Sequence, residues 1–456
     1  MTTMTEPISD PAAEAEALFR EARMRSRRRR ARRAAMTSAV LAVAALAYVV
    51  VSAGDAIPAR SASSGPLVDR AAFAGHGRLA FVSQGRLYVL DGTALAAVSR
   101  LGQSVSDPQF SPDGRFLTYV SGSGTEFLAR SDGTNARPVA AAPATQSWLP
   151  DGDLIAGSSI WRVSLAGTLS RAAAVPAGLV AWSPDGDRYV FFAGTHRKLP
   201  GGRVDGTETL DVASSLTGHR TTWYATHTSF TPKNGIAGNE LDGAIVLPDA
   251  QGILFRLDPG GSASIPEDGL TVNLLRAPGA RPVALATTVG FSVTLGAHGT
   301  FALTNGFDRY ATLTKHVEVC SAPAGRCTAV LARHGQISFD PTFAPDGATL
   351  AFVQAPPTTQ GDFEQRHVVA WYATHTLWTL APGGLARGIP GARGASTPVW
   401  SADGRTILYT ADDALWIVAA NGRSAPVRIA GPLFDPNHWP ASWFQVDWQG
   451  QFAWSS

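Results

Sequence analysis

The chain is poor in charge, in lysine and in cysteine. Asp, Glu, Lys and Arg make up 16% of its 456 residues, and after the first fifty positions no stretch carries the charge of a long solvated helix. Lysine stands only at Lys198, Lys233 and Lys315. Cys320 and Cys327 are the two cysteines, too few for a cysteine-rich zinc centre. Catalytic signatures are missing as well: there is no G-x-S-x-G elbow, no G-x-G-x-x-G, no Walker loop and no calcium loop. No stretch of about 200 residues is left over for an appended hydrolase domain.

What is present is 46 Gly, 30 Pro and 45% hydrophobic residues, the composition of a well-buried, turn-rich globule. One large all-β domain fits the length. The net charge of +2 is unevenly spread, because nine arginines between Arg20 and Arg33 face five acids and give the first 33 residues +4, leaving −2 for the rest. The large domain therefore has no electrostatic footprint for nucleic acid.

Ala34 to Gly54 carries no charge, and at 1.5 Å per residue about twenty residues span the hydrocarbon core of a bilayer. The reading is a transmembrane helix at 34–54, with the Arg-rich tail 1–33 cytoplasmic by the positive-inside rule. A linker at 55–72 and an extracytoplasmic domain at 73–456 follow. A signal peptide cleaved after Val51-Ser52-Ala53 is the alternative, although its n-region and apolar stretch would both be long. Either way the domain lies outside the cytoplasm. There Cys320 and Cys327, which bracket a Pro/Gly turn, would close a small disulfide loop.

A short unit recurs: Phe110-Ser-Pro-Asp-Gly114, Trp148-Leu-Pro-Asp-Gly152, Trp182-Ser-Pro-Asp-Gly186, Phe343-Ala-Pro-Asp-Gly347 and Trp400-Ser-Ala-Asp-Gly404, each before an apolar strand. Pro presets φ, Asp bonds to local backbone and Gly takes the positive-φ place of a hairpin turn. The repeated Asp is thus turn chemistry rather than an acid or base. A second strand with an early aromatic follows, as in 86–92, 160–167, 253–261 and 415–422, then a third apolar run. With the strand before the turn, each unit supplies four strands, the pattern of propeller blades. Because the unit at 240–268 shows no clear first strand, the expectation is seven blades of four-stranded antiparallel sheets, with eight as the alternative. The C-terminal strand completes blade one, and Trp448-Gln-Gly450 looks like a degenerate turn motif.

These turns and strands resemble the TolB-like, WD-repeat-like β-propeller family over about residues 73–456, and with the anchor they resemble membrane-anchored TolB-like translocation proteins of high-GC bacteria. The resemblance implies a fold and leaves function open. Some TolB-like propellers are lyases with a His-rich metal site, which keeps a metal-dependent enzyme acting on a glycan as the alternative to a non-catalytic binding or sensing module.

One motif is not explained by blades. W-Y-A-T-H-T stands at Trp223 to Thr228 and at Trp371 to Thr376, with His219 and His367 each four residues before the Trp. Strand alternation would put His219, Trp223 and His227 on one face, and His367, Trp371 and His375 likewise. Read as the same hairpin position in two blades, the copies would meet over the channel and form a ligand site for a protein, peptide or glycan; the bland alternative is a packed Trp with satisfied histidines. No cofactor or metal is expected, since no carboxylate lies close in sequence. His76, His298, His316, His334 and His438 stand alone.

Overall fold

The computed structural model describes residues 65–456 except 100–103, 141–147, 158, 175–177, 232–234, 249–250, 260–268, 291, 308–313, 331–333, 359–364, 435–440, 443–444 and 447. The anchor expected at 34–54 and His438 lie outside the described residues. Among the described residues no helix is long and apolar enough to cross a membrane.

The fold class is an all-β propeller with eight blade sheets among the described residues, one more than the sequence count, and a separate two-stranded sheet, Ala441–Ser442 with Gln445–Val446. Sheet 1 is Arg78–Ser83, Arg86–Asp91 and Ala94–Ala97, with Phe452–Ser455 in first place; sheet 2 is Val105–Phe110, Phe116–Ser121, Glu126–Arg130 and Arg137–Ala140. Sheet 3 has three strands, Leu154–Ala156, Ser159–Val163 and Leu169–Ala174, and a bridge from Trp148 to Leu154 stands for the fourth. Sheet 4 is Leu179–Trp182, Arg188–Lys198, Val204–Ser214, Arg220–Thr231 and Gly235–Gly238; sheet 5 is Glu240–Val246, Ile253–Asp258, Leu270–Leu275 and Val283–Thr288. Sheet 6 is Val293–Leu295, Thr300–Asn305, His316–Ser321 and Arg326–Ala329; sheet 7 is Ile337–Phe343, Leu350–Ala355, Thr376–Leu380 and Arg387–Arg393. Sheet 8 is Ser396–Trp400, Thr406–Ala411, Ala414–Ala419 and Val427–Gly431, with Leu67–Val68 added at its outer edge.

The missed blade is sheet 5. Its first strand has a bulge between Leu241 and Ala244 like those in the first strands of sheets 2, 7 and 8, but its sequence continues Val246-Leu-Pro-Asp-Ala250, without the aromatic and the Gly that mark the recurring unit elsewhere. The expected closure of blade one holds, but through a different residue. Trp448 precedes a short 3-10 turn, Gln449–Gln451, and packs on Phe434 with ring centroids 5.0 Å apart. It is Trp454 that takes the place of the motif aromatic, opposite Leu79.

The chain divides into two compact units, one of Pro176–Leu285 and one of the described residues on either side of it. In the first, sheets 4 and 5 pack through Val190, Leu210, Val246 and Phe255. In the second, core clusters join successive sheets: Val82 and Val89 with Leu117 and Tyr119, Ala302 and Val317 with Leu350 and Phe352, Leu377 with Ile407 and Tyr409. Strands packed on both faces are buried at every position, as in Phe116–Ser121, which is why they read as continuous apolar runs.

The turns behave as their chemistry dictates. The buried Ser111 hydroxyl donates to Asp113 Oδ1 at 2.6 Å and accepts the backbone N–H of Phe116 at 2.9 Å; Ser401 does the same with Asp403 at 2.6 Å and Thr406 at 2.9 Å. Where Ala344 replaces the serine, Asp346 accepts from Thr349 Oγ1 at 2.7 Å. Gly347 has φ +65°, and a Cβ there would meet Ala297 N at 2.5 Å, so only glycine fits.

Candidate functional site

The first W-Y-A-T-H-T lies in the fourth strand of sheet 4, within a long ribbon. The three strands Arg188–Lys198, Val204–Ser214 and Arg220–Thr231 have 11, 11 and 12 residues, whereas the longest strands elsewhere among the described residues have seven. Antiparallel pairing brings Thr207 opposite His227 and Asp205 opposite Ser229, so Asp205 reaches His227 from a neighbouring strand. His227 Nε2 stands 3.2 Å from Asp205 Oδ1, with the imidazole 62% exposed, and Arg203 Nη2 is 3.4 Å from the same oxygen. Partial loss of solvent opposes ionisation of Asp205, but the His227 and Arg203 hydrogen bonds outweigh it and hold the carboxyl below its usual range. Sequence reading missed this carboxylate because it lies 22 residues before the histidine.

Nearer the core, Asp211 is fully buried and receives Thr209 Oγ1 at 2.6 Å, Thr222 Oγ1 at 2.5 Å and Arg220 Nη2 at 2.7 Å. The Arg220 guanidinium also lies 4.7 Å over the Phe191 ring. This stiffens the ribbon at its root.

The expected shared face of His219, Trp223 and His227 is not formed. Leu210 pairs with Tyr224 and Asp211 with Thr222, so Trp223 is the extra residue of a bulge, and the side-chain alternation resets there. Trp223 packs into the core with Leu210 and Phe255. His219 is exposed in the turn before the strand, eight residues from His227, or about 26 Å along an extended chain.

The second copy takes another conformation in the other unit. Gln365–Tyr372 is a helix (α2; α1 is Arg70–Phe73), and the third strand of sheet 7 begins only at Thr376. The two copies are therefore not the same blade position, contrary to expectation. Six shared residues cannot set one backbone when the first copy has Val204–Ser214 as its strand partner and the second does not. Trp371 Nε1 donates to Pro356 O at 2.9 Å and Tyr372 Oη accepts Val446 N at 2.8 Å. His367, one turn before Trp371 on α2, is half-buried.

His375 is fully buried inside an aromatic box. Its ring centroid lies 4.4 Å from Trp371, 4.6 Å from Tyr372 and 5.1 Å from Phe339. Nδ1 is 3.2 Å from Ala395 O, so it carries the hydrogen, and Nε2 is buried without a partner among the described residues. Burial pushes the imidazole down to about 3, against a smaller opposing effect of the Ala395 carbonyl. Trp371 and His375 thus meet as a packed core rather than on an open face.

Two further features bear on chemistry. His316 does not stand alone: Nδ1 faces Thr314 O at 2.9 Å and Nε2 faces Glu318 Oε1 at 3.1 Å, while Asn305 Nδ2 donates to the same carboxylate at 2.9 Å. Both ring nitrogens face acceptors, which favours the charged ring; the Glu318 bond raises its pKa, against partial burial. Cys320 and Cys327 form the expected disulfide, across paired strands of sheet 6. With Glu318 they are the one group of three ligand-type side chains among the described residues, and with both sulfurs bonded to each other only the carboxylate is left to ligate.

No protein-family model and no curated protein sequence matches the chain. Among solved structures it is similar to an oligogalacturonate lyase in complex with manganese, at 13% identity over 80% of this chain and 84% of that one with a TM-score of 0.40. The C-terminal WD40 domain of Sif2 is similar at 13% identity over 78% and 92%, TM-score 0.41. An oligogalacturonate lyase from Vibrio parahaemolyticus follows at 11% identity over 77% and 84%, TM-score 0.35. Likenesses this distant assign no activity or ligand to this chain.

Proposed function

We propose that the chain is a membrane-tethered, extracytoplasmic propeller that works as a non-catalytic binding module for a protein, peptide or glycan, with the outer half of the sheet 4 ribbon as its contact surface. The ribbon's excess length carries this reading. The inner half supplies the buried Val190, Leu210 and Val212, and in the outer half Val204, Thr226 and Thr228 are buried as well. The outer half exposes Thr195, Arg197, Lys198, Thr207 and His227 on paired backbone. Such a surface offers donors and acceptors at fixed spacing with little ordering cost on binding.

The tether rests on the uncharged run 34–54 behind the arginine cluster, and the disulfide of sheet 6 suits an oxidising compartment. Lysine scarcity makes the test sharp. Lys198 is exposed at the ribbon end, Lys315 is buried and Lys233 lies outside the described residues. An amine-reactive cross-linker applied to intact cells should give a discrete adduct that maps to Lys198 and disappears in Lys198→Arg; an adduct mapped elsewhere, or none, contradicts the reading. Stoichiometric manganese or zinc in the purified full chain, lost in His227→Ala, would favour the metal-dependent lyase instead.

A further inference from the structure

The outer edge shared by sheets 7 and 8 is strongly basic. Arg387 and Arg393 lie on the fourth strand of sheet 7, Arg428 on that of sheet 8, Arg423 in the turn before it, and Arg70 on α1. All are exposed except the half-buried Arg428. The two strands are neighbours: a Cβ on Gly422 would meet Pro390 Cδ at 3.1 Å, and one on Gly391 would meet Pro426 Cδ at 3.2 Å. Phe73 of α1 shares a core with Ile429 and Ala430 of sheet 8. Among the described residues none of these five guanidiniums has a carboxylate in ion-pair distance, unlike Arg78, Arg220 and Arg256 elsewhere. Of the nearby acids, Asp69 caps α1 by accepting Ala72 N at 2.9 Å and the buried Asp413 accepts Phe434 N at 2.8 Å; the exposed Asp412, beside Gly394, is outnumbered by the five arginines.

The same edge is where the described chain starts. Leu67 and Val68 pair with Gly431 and Ala430 as the outermost strand of sheet 8. Arg428 sits beside that junction, its Nη2 2.8 Å from where a Gly431 Cβ would stand. Between Gly54 and Gly65 lie only residues 55–64, a contour of at most about 36 Å.

We propose that this arginine edge docks on anionic phospholipid headgroups of the membrane that holds the chain's own N-terminal span. The proposal rests on the tether reading and adds an orientation, with sheets 7 and 8 against the bilayer. Guanidinium forks match phosphate oxygens, and a patch too weak to bind from solution is effective when a short tether holds it at high local concentration. Attraction to the headgroups fades within a Debye length, so docking must be salt-sensitive.

Full-length protein reconstituted into phosphatidylcholine vesicles, and into vesicles also containing phosphatidylglycerol, is treated with an arginine-reactive dicarbonyl and mapped by mass spectrometry. Modification of Arg387, Arg393 and Arg423 should slow by about fivefold or more in the anionic vesicles and recover in high salt, while the exposed Arg115 of sheet 2 reacts alike in both. In Arg387→Gln/Arg423→Gln, protection of Arg393 should be lost. Equal modification in the two lipids, or protection of Arg115 to the same degree, overturns the proposal. Flotation with the neutral vesicles tests the tether separately: a chain that fails to float there has no anchor, whatever its arginines do.

Discussion

Trp454 stands directly opposite Leu79, in the register that Trp400 keeps with Ile407 and Phe343 with Leu350. Its indole Nε1 donates at 2.7 Å to His76 O, just before the strand it pairs with, whereas Trp400 Nε1 donates at 3.1 Å to Thr342 O of the preceding sheet. The last strand of the chain is thus the first strand of sheet 1, and the two ends of the described chain are fastened by the bonds that build an ordinary blade.

Removing residues 452–456 should leave Leu79, Ala80 and Phe81 without their strand partner and lower the melting temperature sharply. The milder Trp454→Ala should cost about 2–3 kcal/mol, since the ring is only partly buried. Denaturant unfolding of both variants checks this, and wild-type stability in the truncated chain would refute the closure.

The turn serines should matter more than their prolines. Ser183 is buried, donates to Asp185 and accepts Arg188 N at 2.9 Å, so Ser183→Ala should cost about 1–2 kcal/mol. The Ser183 hydroxyl is the main cause of the lowered pKa of Asp185. A carboxyl held low stabilises the fold above its unfolded value and stops doing so as pH falls through its folded value. The gap between wild type and Ser183→Ala should therefore narrow as pH drops below about 4, which unfolding curves at several pH values would show.

His316 should keep its proton to a higher pH than a free imidazole. Its raised pKa comes chiefly from Glu318, so its stabilising contribution is complete below the unfolded value of about 6.5 and is lost as pH rises through the folded value. Glu318→Gln should bring the titration back toward 6.5, read from the imidazole proton resonances. An unchanged titration would mean that the carboxylate is not the cause.

His375 has the opposite sign. Its unfolded form takes a proton near 6.5 and the folded form not until about 3, so stability is complete above 6.5 and falls by roughly 1.4 kcal/mol per pH unit below it. His375→Gln can still donate to Ala395 O but does not titrate. Its melting temperature should therefore fall less steeply than that of the wild type when the buffer is taken from about pH 7 to about pH 4.5.

The blades were legible because Ser, Pro, Asp and Gly do the same local work at every turn, whatever surrounds them. Sheet 5 was hidden because Val246-Leu-Pro-Asp-Ala250 lacks the aromatic and the Gly of the recurring unit. The repeated hexapeptide misled for a different reason. Its conformation is set by partners, a hairpin strand for Trp223 and the helix α2 for Trp371, and no local pattern encodes which partner arrives. Asp205 was invisible beside His227 because strand pairing, not sequence proximity, brings them together.

The most direct test of the binding-module account is a photo-cross-linking amino acid placed at Thr207, opposite His227 on the ribbon, in full-length protein in the cells that produce it, with the exposed Ala96 of sheet 1 as the control site. The account predicts one discrete adduct from position 207, absent from position 96 and lost when Asp205→Ala and His227→Ala are added to a chain that keeps its melting temperature. Equal labelling from both positions, or an adduct indifferent to Asp205 and His227, would contradict it.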